Sequence, residues 1–311
     1  MEKNKCSRAV LQEIQKSLPS TRMLFSEPLA KYTTFKIGGP ADCIIFPSSV
    51  QDVATVLSLT NEQQVPLTIL GNGSNVLVLD GGIRGIVLKF DKDFAGIRHE
   101  GARIVAGAGA LLSDVSAYAS KQGLTGFEFA IGIPGSVGGA VFMNAGAYES
   151  DMSCVVNSVT AVSPLGEIRR FSRQDIAFRY RHSVFQENHY VVCEVEIDLQ
   201  KGENNHICQK MNELTLRRES KQPIELPSAG STFKRPPGQF AGTLIDQAGL
   251  KGFKIGGAQV SGKHAGFVVN AGGATAQDVL TLIQEVQRRV QNQFGILLQP
   301  EVRVLGEESD H

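Results

Sequence analysis

Gly132-Ile133-Pro134-Gly135-Ser136-Val137-Gly138-Gly139-Ala140 is the stretch on which the reading of this chain turns. Four of its nine residues are glycine, and Asn144-Ala145-Gly146-Ala147 follows closely. Glycine buries no side chain, costs backbone entropy on ordering, and admits positive φ and close approach of the main chain. A folded protein carries such a run where backbone N–H groups must touch something large, flat or anionic. On spacing alone a tight turn beside a buried strand competes with that reading. A second stretch argues against the turn. Gly71-Asn72-Gly73-Ser74-Asn75 lies between the apolar runs Leu67-Thr68-Ile69-Leu70 and Val76-Leu77-Val78-Leu79, giving strand, glycine loop, strand. Two such loops suggest a long ligand with two ends, such as a dinucleotide.

Outward from these loops the chain reads as α+β. An amphipathic helix with Val10, Leu11, Ile14 and Leu18 is expected within Met1 to Pro19, and Gly38-Gly39-Pro40 breaks structure before a strand at Cys43-Ile44-Ile45-Phe46. Ser48 or Ser49 caps a helix with Val53, Val56 and Leu57 on its apolar side. Strands follow at Ile86-Val87-Leu88 and Ile104-Val105-Ala106, and a helix runs from Ser113 to Gln122 until Gly123 stops it. From Val155 to Leu199 the pattern is β-rich, interrupted by Phe178-Arg179-Tyr180-Arg181-His182-Ser183-Val184-Phe185. Lys201 to Asn205 reads as a polar linker and Ile207 to Ser220 as a helix. Thr275 caps a helix that carries Val279, Leu282, Ile283, Val286, Val290 and Phe294 on one face, and Gly295 ends it. The expected division is residues 1–203, with a core at about 32–200, and residues 204–311.

Composition narrows the function. With 31 basic and 31 acidic residues in 311, the net charge is zero, which leaves no electrostatic footprint for nucleic acid or an anionic membrane. No apolar run is long enough to span a bilayer, so no membrane insertion is expected, and nothing in the sequence points to an obligate protein partner. Cys6, Cys43, Cys154, Cys193 and Cys208 are odd in number and form no CxxC, so neither a disulfide framework nor a zinc site is indicated. A cytoplasmic location is expected on that basis. His182, His189, His206 and His264 lack metal-ligand spacing, and no metal is expected.

Familiar nucleotide and nucleophile motifs fail in instructive ways. Gly71-Asn72-Gly73 continues to Val76, and Gly107-Ala108-Gly109 to Leu112, so neither supplies the third glycine of GxGxxG. Gly257, Gly262 and Lys263 approach a phosphate loop, but His264 stands where a hydroxyl should bind magnesium. Ser136 has Pro134 where a nucleophile elbow needs glycine.

Taken in order, GNGSN, GIPGSVGGA with NAGA, YRHSVF, GSTFKRP, AGTLIDQAGLKGFKIGGAQV and PEVRVLG resemble the UDP-N-acetylenolpyruvoylglucosamine reductase family, over about Tyr32 to Leu305. The resemblance implies a two-part FAD-binding domain of the p-cresol methylhydroxylase and vanillyl-alcohol oxidase type, plus a C-terminal α/β substrate-binding domain. It implies that Gly71, Asn72, Gly73, Ser74 and Asn75 hold the flavin pyrophosphate. Pro134, Gly135, Ser136, Gly138, Gly139, Ala140, Asn144, Gly146 and Ala147 would then lie along the rest of FAD. Arg181 matches the catalytic arginine, Ser231 the serine proton donor and Glu301 the catalytic glutamate. Tyr180 and Lys221 match substrate contacts. Arg235 stands where one subtype has asparagine, and His264 where it has glutamine. The long insertion of one subtype is absent, so the chain resembles the shorter second type.

The chemistry implied is reduction of UDP-N-acetylglucosamine enolpyruvate, with NADPH as co-substrate and non-covalent FAD. Neither glycine loop contains the His or Cys through which oxidases of this flavin fold tether their cofactor. An FAD-dependent sugar or alcohol oxidase of that fold is the alternative. A non-enzymatic nucleotide-sugar binding protein would keep the loops without needing Arg181, Ser231 and Glu301 together. Read singly, Arg181 is a surface arginine, Ser231 a turn or cap serine and Glu301 a solvated strand end; their place in the ordered set reverses that.

Overall fold

The computed structural model describes residues 8–309, which form two compact units. One contains residues 8–25, 42–72 and 85–217, and the other residues 26–41, 73–84 and 218–309. Chain from the N-terminal half contributes two segments to the second unit.

The first unit is built on two sheets. Strands Arg22–Pro28, Pro40–Phe46, Ile83–Lys89 and Leu67–Leu70 lie side by side in that order, the last two parallel. Ile44, Ile45, Ile86, Val87 and Leu88 are wholly buried, the near-continuous apolar run that a covered sheet requires. Ser49 caps the helix Val50–Glu62, its hydroxyl accepting from the Asp52 amide. The expected N-terminal helix spans Arg8–Ser17 and buries Val10 and Ile14; the residues before Arg8 lie outside the described part.

The second sheet has five antiparallel strands, in the order Ile168–Ser172, Val156–Val162, Val191–Asp198, Arg103–Gly107, Ile97–Glu100. Side chains alternate between its faces. Val159, Ala161, Val195, Ile197, Ile104 and Ala106 are fully buried. The other face carries the ion pairs Arg98–Glu194, Arg103–Asp198 and Arg170–Glu196, each within 2.8 Å. The Arg103 guanidinium holds the Asp198 carboxyl below the usual carboxylate range. Exposed pairs of this kind contribute ~0–1 kcal/mol each, so the buried face rather than the charged one stabilises the sheet.

Two local departures from expectation have physical causes. The polar stretch read as a linker already contains the start of a helix, Asn204–Lys221. Second, Val137–Met143 is helical although it begins in the glycine-rich stretch. Glycine disfavours helix by about 1 kcal/mol per residue. Here close packing overrides that preference: a Cβ on Gly138 would lie 2.8 Å from the Ala108 Cβ.

The cysteines separate cleanly. Cys43 and Cys193 are fully buried, and burial pushes the Cys193 thiol up to about 12. Cys154 and Cys208 are exposed, and Cys6 lies outside the described residues. In a Cys6→Ser variant, a thiol reagent should therefore titrate two groups quickly in the native protein and four after denaturation. Rapid native titration of all four would contradict the packing around Cys43 and Cys193.

The second unit centres on a four-stranded antiparallel sheet, in the order Ser228–Ser231, Phe267–Asn270, Ala258–Val260, Lys254–Ile255. The helix Ala276–Phe294 packs with it, burying Val279, Leu282, Ile283, Val286 and Val290, while Phe294 is partly buried. Thr275 and Asp278 form a reciprocal capping box at its start, and Gly295 ends it at φ +72°. Asp80, from the segment 73–84, also accepts from the Ala276 and Gln277 amides at 2.9 and 3.2 Å. Among the described residues, strand Val76–Val78 pairs only with Arg303–Leu305, in parallel. Leu77, Phe35 and Ile37 enter the same core as the long helix.

Candidate functional site

In the first unit the two glycine loops meet. Asn72 Nδ2 donates to the Pro134 carbonyl at 2.5 Å, tying GNGSN to GIPGSVGGA. The Leu112 amide donates to Gly135 O, and the Val137 and Gly138 amides donate to Ala110 O and Ala108 O, so the second loop is laced to Ala108–Leu112. Ser136 lies between them, 2% exposed. Its Oγ is buried without a hydrogen-bond partner among the described residues. A Cβ on Gly71 would overlap that hydroxyl, and one on Gly139 would stand 3.5 Å from it. An orphaned buried hydroxyl costs about 1–3 kcal/mol unless something satisfies it. A hydroxyl left open beside walls without Cβ atoms fits a polar or anionic group supplied by a ligand, such as a pyrophosphate.

Past Met143 the chain turns through Asn144 at φ +44°, a left-handed helix cap. The Asn144 side chain is spent within the protein: its Nδ2 donates to Asp151 Oδ2 and Arg179 O, both at 3.1 Å, and its Oδ1 accepts from the Ser153 amide. Gly146 and Ala147 form a small strand against Ser150–Asp151. Arg179 and His182 exchange both backbone hydrogen bonds, leaving Tyr180 and Arg181 at the tip of a four-residue turn. Arg181 has φ +53°. This third turn position is where glycine or asparagine is usual, and a side chain there costs about 1–2 kcal/mol. Strain of this sort concentrates where a side chain is needed in one place. The Arg181 guanidinium stands 5.1 Å from the centre of the exposed Tyr180 ring.

The second unit brings together Ser231, Glu301 and the rest of GNGSN. Strand Ser228–Ser231 pairs with Phe267–Asn270, but its register slips between Ser228 and Ser231, and Gly230 in the slip has φ +75°. That is a β-bulge, a device that re-aims the following side chain. Ser231 is exposed, whereas Thr232 is buried and accepts from the Val268 amide through Oγ1. Immediately after the bulge the chain pairs with the C-terminal segment: the Glu301 amide donates to Thr232 O, and the Lys234 amide to Gln299 O, both at 2.8 Å. Asn75 closes the group, its Nδ2 donating to Glu301 O at 3.3 Å and its carbonyl accepting from the Arg303 amide at 3.0 Å.

The remaining candidates lie near this group or apart from it. His264 sits in the turn before Phe267–Asn270, with Gly242 and Gly266 against its ring. Its Nδ1 accepts from the Gly266 amide at 3.0 Å, so the neutral ring carries its proton on Nε2. Burial holds its pKa below the ordinary histidine value, which keeps it neutral at pH 7. The Arg235 guanidinium lies over the exposed Phe240 ring at 3.9 Å. Lys221 is the exposed last residue of its helix. Residues that sequence reasoning passed over are Ser183 and Gln186, which both donate to the Phe142 carbonyl at 2.8 Å. Only the place of Ser183 within YRHSVF, and of Gln186 directly after it, could have drawn attention to them.

Comparison with known proteins adds an independent line. Residues 222–305 match the UDP-N-acetylenolpyruvoylglucosamine reductase C-terminal domain, and residues 41–172 an FAD binding domain. A UDP-N-acetylenolpyruvoylglucosamine reductase from Clostridium botulinum (strain Eklund 17B / Type B) is 47% identical over 308 residues, 99% of this chain and 100% of that one. The crystal structure of such a reductase from Thermus caldophilus is similar with a TM-score of 0.78 and 34% identity, covering 92% of this chain and 98% of that one. A glucose dehydrogenase, Phl p 4.0202, is similar in fold alone, with a TM-score of 0.52 and 14% identity over 63% of this chain and 45% of that one. Among the described residues no helix is long and apolar enough to cross a membrane.

Proposed function

The chain belongs to the UDP-N-acetylenolpyruvoylglucosamine reductase family and is an FAD-dependent oxidoreductase, and on that premise we propose that it converts UDP-N-acetylglucosamine enolpyruvate to UDP-N-acetylmuramate for peptidoglycan synthesis. NADPH is the reductant, and the cytoplasm is the place of action. The cofactor-binding role falls to residues 1–203 and the substrate-binding role to residues 204–311, with Gly73, Ser74 and Asn75 completing the GNGSN loop.

Bound FAD supplies the hydride chemistry; the protein positions and polarises. Asn72, Pro134 and Gly135 shape the cradle, and Ser136 Oγ donates to an acceptor brought into it. Gly139 and Ala140 keep the neighbouring wall close and free of bulk, and Gly138, Asn144, Gly146 and Ala147 hold the backbone behind it in place. When the enolpyruvyl double bond gains hydride at its terminal carbon, negative charge builds on the adjacent carbon and spreads into the carboxylate. Arg181 opposes that charge with a planar fork matched to a carboxylate. Ser231 protonates the adjacent carbon: a hydroxyl is a weak acid toward water but strong enough toward a carbanion within hydrogen-bond reach. Glu301 assists as the second catalytic group at that place. Tyr180, Lys221, Arg235 and His264, with its Nε2–H, serve as substrate contacts.

The observation that carries this reading is the backbone pairing of Thr232 with Glu301 directly after the Gly230 bulge. It gathers Ser231 and Glu301 from positions far apart in the chain into one place. Anaerobic rapid mixing tests the proposal, first with NADPH and then with the enolpyruvyl substrate, following flavin absorbance. Fast bleaching and fast recovery are expected, and acid should release the flavin into solution. Bleaching by a sugar or an alcohol in place of NADPH, or flavin retained in the acid pellet, would point to an oxidase instead.

A further inference from the structure

We propose that Gln186 is a positioning residue that holds the Arg181 guanidinium in its working place, an inference that rests on Arg181 being the catalytic arginine. The turn Arg179–His182 is short and strained at its tip, and its own two backbone bonds do not reach that tip. Gln186 does. Its Nε2 donates to Arg181 O at 3.1 Å and, with its second hydrogen, to Phe142 O at 2.8 Å.

Phe142 lies in the last turn of the helix that begins in the glycine-rich loop. Carbonyls there have no partner within the helix and are open to outside donors. Ser183 Oγ takes the same carbonyl, and Asn144 holds Arg179 O from the helix cap. One carboxamide therefore couples the carbonyl of the arginine to the far end of the segment that forms the cofactor cradle. It does so without a charge that would compete with the guanidinium for substrate.

Gln186→Met keeps the bulk and removes both donors, whereas Gln186→Asn keeps the uncharged carboxamide on a stem one methylene shorter. The Met variant is expected to slow flavin reoxidation by the enolpyruvyl substrate about 10–100-fold, the scale of a misplaced catalytic group. Reduction by NADPH should stay within about twofold of wild type, and Gln186→Asn should regain part of the lost rate. Hydrogen exchange at the Arg179 and His182 amides should quicken in the Met variant without loss of global stability. In an Arg181→Lys background, Gln186→Met should add less than about twofold, since the two act through one group. Equal slowing of both half-reactions, or losses that multiply in the double variant, would overturn the inference. A slow Arg181→Lys beside a fast Gln186→Met removes it alone. A wild-type rate for Arg181→Lys removes the assignment of Arg181 and the inference with it.

Discussion

Ser231→Ala is expected to slow reoxidation of the flavin by the enolpyruvyl substrate by ~10²–10⁴-fold, the usual contribution of a general acid. Reduction by NADPH should be unchanged, because no carbanion exists at that stage and no proton is called for. The structure adds reasons to expect a clean result. Ser231 is exposed at the end of its strand, and the bonds that hold the strand there belong to its neighbours. Thr232 supplies the buried hydroxyl and the carbonyl that pairs with Glu301. Loss of the Ser231 Oγ therefore leaves the Gly230 bulge and the Thr232–Glu301 ladder intact, and stability should stay within about 0.5 kcal/mol. Ser231→Cys retains a donor and should recover part of the rate. Rapid-mixing absorbance on variants of matched flavin content decides the matter. Reoxidation of Ser231→Ala at the wild-type rate would show that another group delivers the proton.

Gly73→Ala should have the largest effect on folding and on cofactor content together. Gly73 has φ +64°, a conformation that costs a side chain about 1–2 kcal/mol. A Cβ there would overlap the Tyr32 carbonyl oxygen and lie 2.9 Å from Thr33 Cα. Both are main-chain atoms, so relief requires a backbone shift, and overpacking of that kind costs a further 1–3 kcal/mol or so. The shift would break the bond from the Thr34 amide to Gly73 O. The expected loss is about 2–5 kcal/mol, with protein that purifies largely without flavin. Gly71→Ala supplies the contrast within the same loop. Its Cβ would meet only the Ser136 side chain, so the fold should persist while FAD binds at least ~10-fold more weakly. Chemical denaturation and flavin titration of the two variants separate these outcomes. A Gly73→Ala protein with wild-type stability and flavin content would refute the steric argument.

Much of this was legible in the residues because local chemistry and local structure agree. Leu67–Leu70 and Val76–Val78 flank GNGSN as strands, as their apolar and β-branched runs indicate. Thr275 and Asp278 announce a capping box, and Val279, Leu282, Ile283, Val286 and Val290 bury one helical face. What escaped depends on partners distant in the chain. The helix Val137–Met143 exists because Gly138 can press against Ala108, a contact that no propensity scale contains. The bulge at Gly230 needs Phe267–Asn270 to define its slipped register. Gln186 sits in no periodic pattern, and only the folded chain puts the Phe142 and Arg181 carbonyls within its reach. The candidate catalytic residues were found through their order along the chain, since an arginine, a serine and a glutamate taken singly carry no signal.

The parallel pairing of Val76–Val78 with Arg303–Leu305 also has a consequence for how the protein is made. The earlier strand leaves the ribosome before its sheet partner among the described residues exists. Its partner is synthesised roughly 225 residues later, a wait of ~10–45 s at bacterial-scale elongation rates of 5–20 residues per second. Leu77, together with Phe35 and Ile37, also waits until the long helix of its core, Ala276–Phe294, has been synthesised. Chaperone demand should therefore peak late in translation, and nascent chains arrested before Val302 should remain protease-sensitive across residues 73–84 while residues 85–199 are already protected.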